Sequence, residues 1–125
     1  MGLFGNIFSS DNAEFWVAIT SEEQIQEAIK ASFEKPVVIF KHSTRCIISK
    51  TVLKNFEAEV NSHEEISLSF YFLDLLSFRA ISTYLAEYLG VTHQSPQVIV
   101  LQNGKAVYDA SHEHISLENI LNKIN

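Results

Sequence analysis

A thiol placed between an apolar run and a helical pattern is the plainest chemistry this chain offers. Cys46 is its single cysteine. It stands in Val37-Val38-Ile39-Phe40-Lys41-His42-Ser43-Thr44-Arg45-Cys46-Ile47-Ile48-Ser49. The apolar run predicts a strand, the polar stretch a loop, and Cys46 the start of a helix. Unpaired amides and the dipole at a helix N-terminus favour negative charge. This placement is therefore expected to lower the thiol pKa from about 8.5 toward neutral and to populate the nucleophilic thiolate. A lone cysteine also serves as a small buried apolar residue, but the polar neighbours favour the reactive reading. One cysteine excludes an internal disulfide and fits a reducing cytoplasm.

The residue three positions on is Ser49, where a second thiol would close an internal disulfide. Serine can donate a hydrogen bond to a Cys46 thiolate but cannot resolve a mixed disulfide. Exchange at Cys46 would thus be monothiol, with an external thiol completing it. Ser49 also fits an ordinary helix residue bonding back to a carbonyl. Arg45 and Lys41 fit either thiolate stabilisation and attraction of a carboxylated thiol, or plain surface solvation. His42 could tune the sulfur or carry a proton, or be a satisfied histidine at a strand end. Thr44 and Ser43 offer hydroxyls to a ligand or a cap to the helix. His112 and His114 flank Glu113, too few ligands to specify zinc, and no metal site is expected.

Charge is uneven. The formal net charge is -6, yet Lys35, Lys41, Arg45, Lys50 and Lys54 fall in a segment with no acidic residue. The overall balance argues against nucleic-acid binding. A local positive field would favour a thiolate and anionic partners, although Lys50 and Lys54, one turn apart, also fit a solvated helix face. The 125 residues suffice for one core. No apolar run reaches membrane-span length, and residues 1–8 match neither a signal peptide nor a myristoylation site.

The elements that would position the thiol follow from periodicity. Residues 1–14 read as a lead-in and 15–125 as one domain. Phe15 to Ile19 predicts a strand, and Thr20 with Glu23 a capping box. The helix after it should bury Ile25, Ala28, Ile29 and Phe33. Residues 37–40 suggest a central strand covered on both faces. The Cys46 helix carries Ile48, Val52, Leu53, Phe56 and Val60 at helical spacing. Ile66 to Asp74 reads as a strand. A helix near 77–89 should bury Phe78, Ile81, Leu85, Tyr88 and Leu89, with Gly90 as its cap. Residues 96–102 form a strand, Asn103-Gly104 a type I′ hairpin, and Lys105 to Ala110 the return strand. Ser116 caps a last helix carrying Leu117, Ile120, Leu121 and Ile124. The order is βαβαβαββα, an α/β chain with a mixed central sheet and helices on both faces.

This arrangement resembles the thioredoxin fold. The Cys46 loop follows the second strand and opens the second helix, and Ser95-Pro96 stands where that superfamily has its cis-proline. The finer match is to monothiol bacilliredoxins of the YtxJ type. Their loop resembles Phe-Lys-His-Ser-Thr-x-Cys-Pro-Ile-Ser, present here as Phe40 to Ser49. Ser95-Pro96-Gln97 and Ala110-Ser111-His112 also match, and the likeness runs from about residue 15 to the end. The resemblance implies that Ser95 and Pro96, with Thr44, bind substrate beside Cys46. It implies removal of bacillithiol, or a related low-molecular-weight thiol, from S-thiolated client proteins. That small thiol would be a co-substrate, with no resident cofactor and no membrane or nucleic-acid partner, and the chain a monomer or weak dimer. Ile47 departs from the family's proline, which stiffens a first helical turn, so reactivity could differ. The rival readings are a redox sensor modified without turnover, a thioredoxin-fold binding module, and a glutaredoxin-like protein, whose Cys-Gly-Phe-Ser loop is absent.

Overall fold

The computed structural model describes residues 15–63 and 65–124. The expected lead-in at 1–14 lies outside the described residues. β1 (Trp16–Ala18) is followed by α1 (Glu22–Ala31), β2 (Val37–His42), α2 (Ile47–Ser62), β3 (Ser69–Asp74), α3 (Arg79–Leu89), β4 (Gln97–Gln102), β5 (Lys105–Ser111), a 3-10 turn (His112–His114) and α4 (Leu117–Lys123). The five strands form one sheet in the order β1-β3-β2-β4-β5. β1 and β2 run parallel to β3, whereas β4 is antiparallel to β2 and β5 to β4. This is the expected βαβαβαββα chain. The strand expected over Ile66–Asp74 pairs only from Ser69 onward.

β2 lies at the centre and is buried at all six positions. Successive strand side chains point to opposite faces, so its residues divide between two cores. Val38 and Phe40 join Leu53, Phe56 and Val60 of α2 and Leu117 and Ile120 of α4. Val37 and Ile39 join Ile25, Ala28 and Ile29 of α1 and Leu85 of α3. Helices thus cover both faces, which is why a run of β-branched residues without alternation fits here.

Local signals hold with small shifts. The cap of α1 is Ser21, not Thr20: its Oγ accepts from Gln24 N, while the Gln24 side chain accepts from Thr20 N. The cap falls one residue later than expected, and Gln24, rather than Glu23, reaches back, to the N–H of the residue before the cap. Gly90 ends α3 at φ 71, and Ser116 Oγ caps α4 through Asn119 N. Asn103 (φ 54) and Gly104 (φ 82) both take the left-handed conformation that a type I′ turn demands.

Three residues expected in the core lie outside it: Phe33 is 62% exposed, Ile48 59% and Tyr88 53%. Phe33 falls beyond the end of α1 and lies over the hairpin, where a Cβ at Gly104 would come within 2.6 Å of its ring. In α2 the buried line runs Ser49, Leu53, Phe56, Glu57 and Val60. A buried serine and glutamate rotate that face away from Ile48. In α3 the buried positions are Ser82 and Leu85, and exposed Tyr88 sets its ring at a tilt to Tyr84, 5.8 Å between centroids.

Candidate active site

β2 ends at His42, and a turn through Ser43 and Thr44 brings the chain to Cys46, whose N–H donates to Ser43 O at 3.2 Å. Cys46 is the N-cap of α2, in an extended conformation. Its carbonyl accepts the first helical bond, from Lys50 N at 3.0 Å. The thiol is unbridged and half-buried, so it is neither sealed in a core nor displayed on a flat surface. The first amides of α2 have no acceptor within the helix.

His42 and Lys41, adjacent in β2, point to opposite faces. The His42 ring lies on the α2 side, against Phe40 and Phe72. Its Nδ1 is 2.8 Å from Ser49 Oγ, and Ser43 N–H donates to the same oxygen at 3.1 Å. Ser49 is fully buried. Among the described residues its partners are therefore His42 and Ser43. The hydroxyl expected at the sulfur ties the end of β2 to the first turn of α2. Burial lowers His42 to a pKa of about 4, with Asp74 opposing that shift and Lys50 adding to it. The imidazole is neutral at physiological pH.

Lys41 takes the other face. Its Nζ bonds Ser82 Oγ of α3 at 3.3 Å and His93 Nδ1 at 3.0 Å. Desolvation by burial lowers it to about 8. The basic segment is thus not one patch. Arg45 and Lys50 are exposed within a turn of Cys46, Lys54 is exposed a further turn along α2, Lys41 is buried, and Lys35 lies beyond the far end of β2, roughly 20 Å away at about 3.3 Å per strand residue. Thr44 is half-buried in the turn.

The Ser95–Pro96 peptide is cis. Lys41 pairs with Gln97 in the β2–β4 register, so Pro96 falls one step beyond that pair, alongside the end of β2 that delivers Cys46. Pro96 is buried, and its carbonyl accepts from His112 N at 3.1 Å. Ser95 Oγ is buried with no partner among the described residues. Sequence reasoning missed His93 and Gln97, because nothing in a polar loop before a proline marks which side chain reaches across the sheet.

His114 Nε2 lies 3.6 Å from Glu113 on the surface. Among the described residues no three His, Cys, Asp or Glu side chains group around a common point for an ion. No helix of the described residues is long and apolar enough to cross a membrane.

The sheet order, the thiol at the head of α2 and the Ser95–Pro96 segment define a protein of the thioredoxin fold. Solved structures agree. A thioredoxin-fold protein proposed to be an oxidoreductase aligns with a TM-score of 0.75 and 26% identity, over 87% of this chain and 93% of that one. The thioredoxin NaTrxh from Nicotiana alata aligns with a TM-score of 0.71 and 20% identity, over 94% of this chain and 99% of that one. The short form of thioredoxin f from spinach chloroplast aligns at 0.64 and 19%, over 86% and 88%. Residues 17–120 match the family described as monothiol bacilliredoxin BrxC. The chain belongs to the monothiol bacilliredoxin family, and its role is that of a thiol oxidoreductase.

Proposed function

We propose that the chain removes bacillithiol, or a related low-molecular-weight thiol, from protein mixed disulfides through Cys46. In this reading the Cys46 thiolate attacks the small-thiol sulfur of the mixed disulfide. The protein sulfur leaves as a thiolate and takes up a proton. Cys46 then holds the small thiol in a disulfide. A second small thiol, as its thiolate, attacks that small-thiol sulfur, releasing Cys46 and a small-thiol disulfide. In sum, the mixed disulfide and one free small thiol become the free client thiol and one small-thiol disulfide.

One observation carries the reading: the only thiol of the chain heads α2, and the position of a resolving thiol is held by a buried serine. Half-buried Ser95, just ahead of Pro96, suits a client backbone. Ile47 and Ile48, 77% and 59% exposed, put apolar surface beside the thiol, which favours a protein client over a small thiol alone. Exposed Arg45, Lys50 and Lys54 suit the malate carboxylates of bacillithiol. A cytoplasmic location, with a pool of small thiol, belongs to the same proposal.

The test is direct. A bacillithiolated client is incubated with the chain and followed by mass spectrometry, with and without added bacillithiol. Transfer of the small thiol to Cys46, its release on adding the free thiol, and loss of both in Cys46→Ser are expected. An adduct that never turns over identifies a sensor instead.

A further inference from the structure

Lys41 is a fully buried ammonium on the central strand. Removing a charge from water is costly unless it is matched, yet among the described residues Lys41 forms no ion pair. Its partners are two neutral groups, Ser82 Oγ and His93 Nδ1. His93 belongs to the loop 91–95, which leads into Ser95–Pro96.

Gln97, the register partner of Lys41 on β4, is fully buried too. It uses both ends of its amide on the same loop: Nε2 donates to Thr92 O at 3.0 Å, and Oε1 accepts from Gln94 N at 3.3 Å. Two facing residues of the sheet thus grip three consecutive loop residues, Lys41 taking His93 and Gln97 taking Thr92 and Gln94.

We propose that Lys41 and His93 are positioning residues, a clamp that holds the 92–95 loop so that Ser95 meets the client while Cys46 exchanges. This inference rests on the exchange reading above and deepens it. It assigns the Lys41 ammonium to substrate binding rather than to the sulfur. It also makes the clamp sensitive to protons. The ammonium donates to neutral Nδ1, so protonating His93 removes the acceptor and sets two cations together. Burial and the Lys41 charge both push His93 below its ordinary value. The other charged groups facing His93 come from α3, Arg79 and Glu87, which line the same cleft of about 390 Å³.

The experiment uses the full chain. The His93 ring is titrated by NMR in wild type and Lys41→Met, and exchange kinetics are measured on a peptide carrying a bacillithiol mixed disulfide. The His93 midpoint is expected below 6.5 in wild type and about half a unit or more higher in Lys41→Met. His93→Ala is expected to raise KM about three- to tenfold with kcat held and to speed amide exchange at residues 92–95. His93→Gln, which keeps an acceptor facing Lys41, is expected to recover most of the KM. Because His93 is exposed, these two variants carry the test even if Lys41→Met does not fold. Unchanged His93 titration in a folded Lys41→Met, unchanged loop exchange in His93→Ala, or a fall in kcat at constant KM would overturn the clamp. If wild type does not exchange at all, the functional reading fails, and loop protection and His93 titration still decide whether the clamp exists.

Discussion

His42 Nδ1 and Ser49 Oγ stand 2.8 Å apart, bridging the last residue of β2 and the first turn of α2. That bond fixes the entry angle of the helix whose cap is the nucleophile. With Ser43 N–H on the same oxygen, Ser49 is the hinge pin of the Cys46 turn. Ser49→Ala strands a half-buried N–H and a buried ring nitrogen, a loss on the order of 2 kcal/mol. Urea unfolding at pH 7 is expected to show it, with exchange at Cys46 slowed but present. A variant as stable as wild type would mean that the turn is held by something else.

The burial of His42 implies a pH dependence. Burial holds folded His42 at about 4, against 6.5 for an ordinary histidine. Between those values the unfolded chain binds a proton that the folded one refuses, so stability falls as pH drops from 6.5 to 4. At about 1.4 kcal/mol per unit the full effect is roughly 3 kcal/mol. Wild type is expected to lose that much more than His42→Asn between pH 7 and pH 4 in matched unfolding curves. Parallel losses in the two proteins would place the acid sensitivity in the carboxylates.

Glu57 offers a second, opposite case. It is buried in the α2 core, its Oε2 accepts from Trp16 Nε1 at 2.9 Å, and Oε1 has no partner among the described residues. Desolvation raises its pKa, with the Trp16 bond opposing. For an acid raised by folding, stability is greatest at low pH and is lost as pH rises through the folded value. Glu57→Gln keeps an acceptor for Trp16 and removes the charge. It is expected to gain about 1 kcal/mol at pH 8 and little at pH 4, measured by chemical denaturation. An equal gain at both pH values would argue for packing instead.

Ile48 bears on the client surface. Being 59% exposed, it contributes little to the core. Ile48→Ser is therefore expected to change stability by less than about 0.5 kcal/mol. The same change should raise KM about threefold or more for a protein mixed disulfide, while exchange with a free small-molecule disulfide stays near wild type. Equal effects on both substrates would remove Ile48 from the docking surface.

What the chain says on its own is local. Apolar periodicity, the Asn103-Gly104 turn, the Gly90 and Ser116 caps and the alternation of strands and helices specify the strands and α-helices and their order, though not the 3-10 turn at His112–His114. The likeness around Cys46 and Ser95-Pro96-Gln97 specifies the family. Short-range sterics and hydrogen bonds act between residues a few positions apart, so they leave a readable pattern. The partners of polar side chains do not. Lys41 and His42 look alike as charged neighbours of a thiol, but β-strand alternation sends one to His93 and the other to Ser49. Ser49, Ser82 and Glu57 hold buried helix positions that their polarity assigns to solvent. Those choices depend on groups tens of residues apart meeting in a medium where an unmatched polar atom is costly, and only the packed sheet brings them together.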